Sequence, residues 1–133
     1  EDIAGTLKIA SGGSLTNGSG AEANFSSTTI SSGTSGAKPE ILNEGLMKTG
    51  VTTTAGKIEN RSDMDAVSLA VQNQGLVTNK DSLTVDNQTT VVSGGEIINE
   101  ASGTADFKQL TVSGSVSNAG SMSATRRTHE FIR

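Results

Sequence analysis

The sequence contains no cysteine, tryptophan or tyrosine, and its only aromatic residues are three phenylalanines. The absence of cysteine excludes disulfides, thiolate chemistry and cysteine-based zinc sites. The net charge of −4 provides no basic patch for a nucleic acid or an anionic membrane. No apolar run approaches the roughly 18 residues of a membrane-spanning helix. We therefore expect no nucleic-acid partner and no direct membrane insertion of this segment.

Large apolar side chains are also scarce. Val, Ile, Leu and Phe supply 28 of the 133 residues, whereas Ser, Thr, Asn and Gly supply 60. A conventional globular core must offset about 1–2 kcal/mol of backbone entropy per residue. A chain about one domain long with this composition is therefore either disordered or folded around a thin core.

A short repeat, aliphatic-x-Asn, runs through the chain. Val, Ile and Leu make up 25 of the 133 residues, so chance would place about two of the nine asparagines two positions after one of them. Eight asparagines have this placement, and only Asn24 does not. Such regularity disfavours disorder. The eight are Asn17, Asn43, Asn60, Asn73, Asn79, Asn87, Asn99 and Asn118.

The repeat predicts a short strand that ends at a corner. Side chains alternate along a strand, so the aliphatic residue and the Asn lie on the same face. Asn tolerates the left-handed conformations of a corner, and a nearby Gly, as in Asn43-Glu44-Gly45, adds a second permissive position. Parallel coils stacked about 4.7–4.9 Å apart would share a narrow core. We expect the eight asparagines to hydrogen-bond from coil to coil as structural ladder or corner residues.

These units predict an all-β solenoid over residues 1–124, with Asn/Gly corners, several of them in each coil of very roughly 18–30 residues. The longer stretch from Asn17 to Asn43, which includes residues 26–39, is expected to contain a protruding loop. Residues 125–133 differ in composition and are interpreted as an atypical tail: a loop, a continuing coil or an appended sequence. Because the chain starts without a methionine or signal peptide, we expect it to be part of a larger mature protein.

No residue pattern indicates catalysis, a metal site or a cofactor. The carboxylates that could form an active site are interpreted as a solvated surface that confers solubility. His129 is the sole histidine and has no partner ligands at metal-binding spacing. The carboxylates in question are Asp63, Asp65, Asp81, Asp86 and Glu96.

Segments such as Leu110 to Met122, which contains Val116-Ser117-Asn118-Ala119-Gly120, resemble passenger domains of bacterial type V secreted proteins. These include autotransporter adhesins and two-partner exoproteins similar to filamentous haemagglutinin. The resemblance implies a right-handed parallel β-helix that is exported through the periplasm and outer membrane. It also implies display at the bacterial cell surface or release from it.

Two functions follow as expectations. The first is a non-catalytic adhesin segment that binds a host extracellular-matrix protein, host cells, a glycan or, by self-association, sister cells. The alternative is a structural β-helix stalk that presents an effector located elsewhere in the parent protein. The scarcity of aromatic residues, which are frequent binding hot spots, favours the stalk modestly.

Overall fold

The computed structural model describes residues 5–10, 13–31 and 40–129, with side chains described up to residue 125. The described residues form strands and turns and no helix. The strands are β1 Thr6–Ile9, β2 Ser14–Asn17, β3 Glu22–Ile30, β4 Glu40–Asn43, β5 Leu46–Thr54, β6 Lys57–Asn60, β7 Asp63–Val71, β8 Leu76–Asn79, β9 Ser82–Val91, β10 Glu96–Asn99, β11 Thr104–Val112, β12 Ser115–Asn118 and β13 Ser121–His129.

Odd-numbered and even-numbered strands form two separate sheets. The odd strands stack in the order β1-β3-β5-β7-β9-β11-β13, and the even strands stack from β2 to β12. All pairings among the described strands are parallel. Each coil therefore contributes a four-residue strand to one sheet and, in most coils, a nine-residue strand to the other. The predicted all-β parallel helix, here of about five turns, is confirmed.

The core is a narrow column between the two sheets. Alternation along each strand turns one or two side chains inward, and equivalent positions stack through the registered pairing. On the even sheet this column is Ile41, Ile58, Val77 and Ile97; on the odd sheet it begins with Met47, Met64, Leu83 and Ala105. All eight side chains are at most 1% exposed. Because each strand needs only one or two inward apolar side chains, a chain with few large apolar residues can still form a continuous core.

The long strands bend near their middle. At the bend the regular alternation of inward and outward side chains is interrupted, and it resumes in the second half of the strand. In β7 the buried residues are Met64 and Ala66 before the bend and Leu69 and Val71 after it. In β9 the bend contains an additional residue, so the register with β7 and β11 shifts. Each long strand thus has two outer halves that face different directions.

Threonines occupy several inward positions of the long strands, Thr49 before the bend and the others after it. Thr28, Thr49, Thr52, Thr54 and Thr89 are all buried. The Thr28 and Thr49 hydroxyl oxygens lie 2.8 Å apart, and Thr52 donates to Thr49 over 3.2 Å. The Thr89 hydroxyl has no hydrogen-bond partner among the described residues. Its stacked neighbours are leucines, which cannot bond with it.

Strands occupy part of the stretch expected to contain a loop and part of the predicted tail. Residues 26–30, within that stretch, form the second half of β3, because they pair in register with β1 and β5. Residues 32–39 of that prediction lie outside the described residues. Strand β13 crosses the boundary placed at residue 124 and runs to His129 beside β11. Residues 130–133 lie outside the description.

Candidate binding surface

Six of the eight predicted asparagines form one continuous ladder at the corner that follows each short strand. In every step the Nδ2 of one asparagine donates to the Oδ1 of the next over 2.8 Å. The steps span 26, 17, 19, 20 and 19 residues, which are the coil lengths. The ladder consists of Asn17, Asn43, Asn60, Asn79, Asn99 and Asn118.

The ladder amides also fix the corner backbone. The Asn60 Nδ2 donates to the Ser62 carbonyl over 2.9 Å and to the Ser82 carbonyl of the following coil over 2.7 Å. Five ladder asparagines are buried, and only the last, Asn118, is exposed. The buried ladder amides therefore hydrogen-bond within the scaffold and stabilise it, and they are not accessible to a partner.

Asn73 and Asn87 do not belong to the ladder, and both are exposed. Asn73 lies in the turn between β7 and β8, at the other corner of the coil, and Asn87 lies at the bend of β9. The expectation that all eight asparagines form the ladder was therefore wrong for these two, although Asn73 does lie at a corner. The aliphatic residues that precede these two, Val71 and Val85, do point inward, so the local pattern is the same in both settings.

The first halves of β3, β5, β7 and β11 carry charged side chains on their outer face, and β9 lies between two of these strands. We call the following outward positions the charged face: Glu22, Asn24, Leu46, Lys48, Asp63, Asp65, Ser82, Thr84, Thr104 and Asp106.

The predicted surface carboxylates are divided among different faces. Burial raises the pKa of Asp65, and the charges of Asp86 and Asp63 raise it further, against the opposing effect of Lys48. These three carboxylates are therefore neighbours. Asp81 lies in the corner before β9, and Glu96 begins β10 on the other sheet. Within the described residues, no group of three His, Cys, Asp or Glu side chains could hold a metal ion.

The outer side of the even sheet carries an ion-pair network around Glu59, which is buried. Its carboxylate lies 2.6 Å from Arg61 Nε, 3.4 Å from Lys80 Nζ and 3.8 Å from Lys57 Nζ. Arg61 also contacts Glu44 at 3.2 Å, so the network connects three successive coils. The hydrogen bond from Arg61 is the main reason that the pKa of Glu59 is lowered, and the nearby charges of Arg61 and Lys80 lower it further.

From β3 to β11, the second half of each long strand presents two outward positions, and none of these ten carries a charge. The two columns continue into Lys8 on β1 and Arg126 on β13. We call the ten positions from β3 to β11 the uncharged face: Ser27, Thr29, Val51, Thr53, Ser68, Ala70, Gln88, Thr90, Gln109 and Thr111. Four of the five strands place a threonine in the second of the two columns, and β7 places Ala70 there.

The uncharged face combines a projection with a depression. Val51 on β5 is 56% exposed, and Val67, at the adjacent bend of β7, is 47% exposed. Because Ser68 and Ala70 are small, β7 lies at the base of a cavity of about 190 Å³ bordered by Val51, Gln88 and Thr90 among others. Residues of this surface lie about one coil apart in the chain and come together only through the register of the coils, so no local sequence pattern marks it.

A second depression, of about 310 Å³, lies at the ladder corner. It forms because the corner after Asn17 has four residues, whereas those after Asn43 and Asn60 have two. Glu22, Glu44 and Asp63 line it, and Glu44 already pairs with Arg61. We interpret it as a consequence of the corner lengths.

Comparisons with protein-family models, curated proteins and solved structures find no match to this chain. The described residues also contain no helix that is long and apolar enough to cross a membrane.

Proposed function

We propose that this chain is a non-catalytic binding segment of a surface-displayed adhesin, and that the uncharged face is its contact surface. The observation that carries the proposal is the absence of charge from ten adjacent outward positions in a chain that is 18% charged. Charged groups are costly to desolvate, and the centres of protein interfaces are depleted in them. A surface that must contact a partner closely benefits from this composition, whereas a purely solvated surface does not.

The rigidity of the scaffold supports the same proposal. The outward side chains stand on strands that pair on both sides in register, above a core closed by the buried ladder. A surface that is already ordered loses little conformational entropy when a partner binds. The uncharged face is therefore suited to bind an extended partner without rearrangement.

The proposed setting is the bacterial cell surface or the secreted fraction, as part of a type V passenger exported through the periplasm and outer membrane. The partners proposed are a host extracellular-matrix protein, a glycan or a further copy of the segment. The parallel β-helix supports this setting because the resemblance to those passengers implies the same fold. We propose no catalytic role for the segment.

The alternative is a structural stalk, and a specific observation favours it. Phe25 and Phe107, the phenylalanines whose side chains are described, pack in or against the core and not on an outer face. Interface centres are enriched in aromatic residues. A stiff stack of coils without such anchors also suits a spacer that lifts another part of the protein.

Binding of the folded protein to immobilised matrix proteins and glycans tests the proposal. Two matched variants on β9 identify the surface: Thr90→Lys places a charge on the uncharged face, and Thr84→Lys places the same charge on the charged face. Both threonines are partly exposed and point outward. We expect saturable binding that T90K abolishes and T84K preserves. Equal binding by both variants would assign the contact to another surface, and no binding by the unmodified protein would favour the stalk.

A further inference from the structure

We propose that the uncharged face docks onto the same face of a second copy, about a two-fold axis that runs parallel to the strands between β5 and β7. The inference rests on the proposed function, because it takes the uncharged face as the contact surface and specifies its partner. Three properties of that surface carry it: the sequence of large and small side chains, the absence of charge and the balance of hydrogen-bonding groups.

In the first column of the uncharged face, small and large side chains alternate from β3 to β9, and in the second column β7 carries an alanine among threonines. Val51 and Thr53 on β5 are the direct lateral partners of Ser68 and Ala70 on β7. The two small residues form the base of the cavity, while Val51 projects beside it. A projection and a depression one coil apart are the elements of a self-complementary surface.

A two-fold axis parallel to the strands brings these elements together. Rotation about it keeps the position of each residue along its strand and exchanges the levels of β5 and β7. Val51 of each copy then lies over Ser68 of the other, and Thr53 lies over Ala70. Because the interface is isologous, each contact occurs twice.

The same operation places β3 opposite β9 of the second copy. Ser27 then faces Gln88, so a small side chain again meets a large one, and Thr29 faces Thr90. Size complementarity thus extends over four strands of each copy and does not depend on a single pair. At the rim, Lys8 of β1 faces Thr111 of β11, where its ammonium can remain in water.

Charge also favours a partner with the same surface. Two copies, each of net charge −4, repel one another when they approach through their carboxylates. The ten positions of the uncharged face bring no charge into the centre of the contact, and Lys8 lies at its rim. Its Ser and Thr hydroxyls and Gln amides both donate and accept hydrogen bonds. The Gln88 amide, for example, already donates to the Thr90 hydroxyl over 3.3 Å. A hydroxyl or amide of this kind can form a hydrogen bond with an identical group on the second copy.

The size of the face determines the strength expected. From β1 to β11 the surface extends about 24 Å, at about 4.8 Å per strand, and it is two outward side chains wide. The area that a strip of this length and width can bury is smaller than the roughly 800 Å² per partner of a standard stable interface. We therefore expect weak association of free molecules in solution, and strong association where many copies are arrayed on a surface and bind together.

The absence of cysteine from the chain allows a direct test. Single variants V51C and S68C, distinguished by an isotopic label on one of them, are mixed and oxidised gently at high protein concentration. We expect mixed disulfide dimers severalfold in excess of those from K48C mixed with D65C. That control pair is also a lateral β5–β7 pair, with one exposed and one partly buried member, but it lies on the charged face.

A second measurement guards against effects of the cysteine substitutions. Sedimentation of the unmodified protein and of T84K should show an average mass that rises with concentration, and T90K should remain a monomer. Circular dichroism checks that each variant retains its β structure. Equal yields from the two cysteine mixtures, or association unaffected by T90K, would overturn the inference. If T90K abolishes binding to a matrix protein or glycan while no dimer forms, the inference fails and the proposed function stands.

Discussion

Replacement of Asn79 by Ala removes a central member of the asparagine ladder. The Asn79 Nδ2 donates to Asn99 Oδ1 over 2.8 Å and to the carbonyl oxygens of Asp81 and Thr104 over 3.0 Å each. Its Oδ1 accepts from Asn60 over 2.8 Å. Two amide hydrogens and one acceptor oxygen amount to about three net hydrogen bonds of about 1 kcal/mol each. We therefore expect Asn79→Ala to lower the free energy of unfolding by about 3 kcal/mol.

Urea denaturation followed by circular dichroism measures this loss, with Asn87→Ala as the matched control. Asn87 also follows an aliphatic-x pattern, but it is exposed at the bend of β9 and outside the ladder. Its replacement should change stability by no more than about 0.5 kcal/mol, as is usual at exposed sites. Equal destabilisation by the two substitutions would refute the assignment of the ladder, and so would the absence of any effect of Asn79→Ala.

Three further substitutions test other parts of the structure. Thr89→Val removes a buried hydroxyl that has no described partner and should raise the unfolding free energy by about 1 kcal/mol in urea; a loss would contradict the burial. Gly50→Ala places a Cβ against the Ser26 carbonyl oxygen, whereas Gly18→Ala meets open space, so thermal denaturation should show a large loss for the first alone. Because the pKa of Glu59 is lowered from 4.5, its ion pairs should stabilise the fold above pH 4.5 and cease to do so as the pH falls through the lowered pKa. Glu59→Gln should remove that part of the pH dependence in urea titrations, and an unchanged profile would contradict it.

The short strands could be predicted from the sequence because each carries a strong local signal. In β4, Ile41 packs in the core and Asn43 begins the corner, and the same spacing recurs in every coil. The signal also appears at Asn73 and Asn87, which are exposed. Only the stacking of coils separates these two from the ladder, and a local pattern does not contain that information.

The long strands and the uncharged face were harder to predict for a physical reason. Buried threonines such as Thr52 and Thr54 break the alternation of apolar and polar residues that marks a strand. The bend, and the additional residue within it in β9, then shift the alternation itself. Ser68 and Val51 are 17 positions apart in the chain and meet only through the β5–β7 register. A surface built from such residues can be predicted only when the length of each coil, and hence the register of the strands, is known.

The register of the coils is the central claim, since the ladder and the uncharged face both follow from it. Isotope-edited nuclear Overhauser spectra of the folded protein test it most directly. We expect contacts between the side-chain amides of Asn60 and Asn79, and between the side chains of Val51 and Ser68. We expect none between the side chains of Asn73 and Asn87. Contacts confined to sequence neighbours, or a ladder contact involving Asn87, would contradict the register and the surface built upon it.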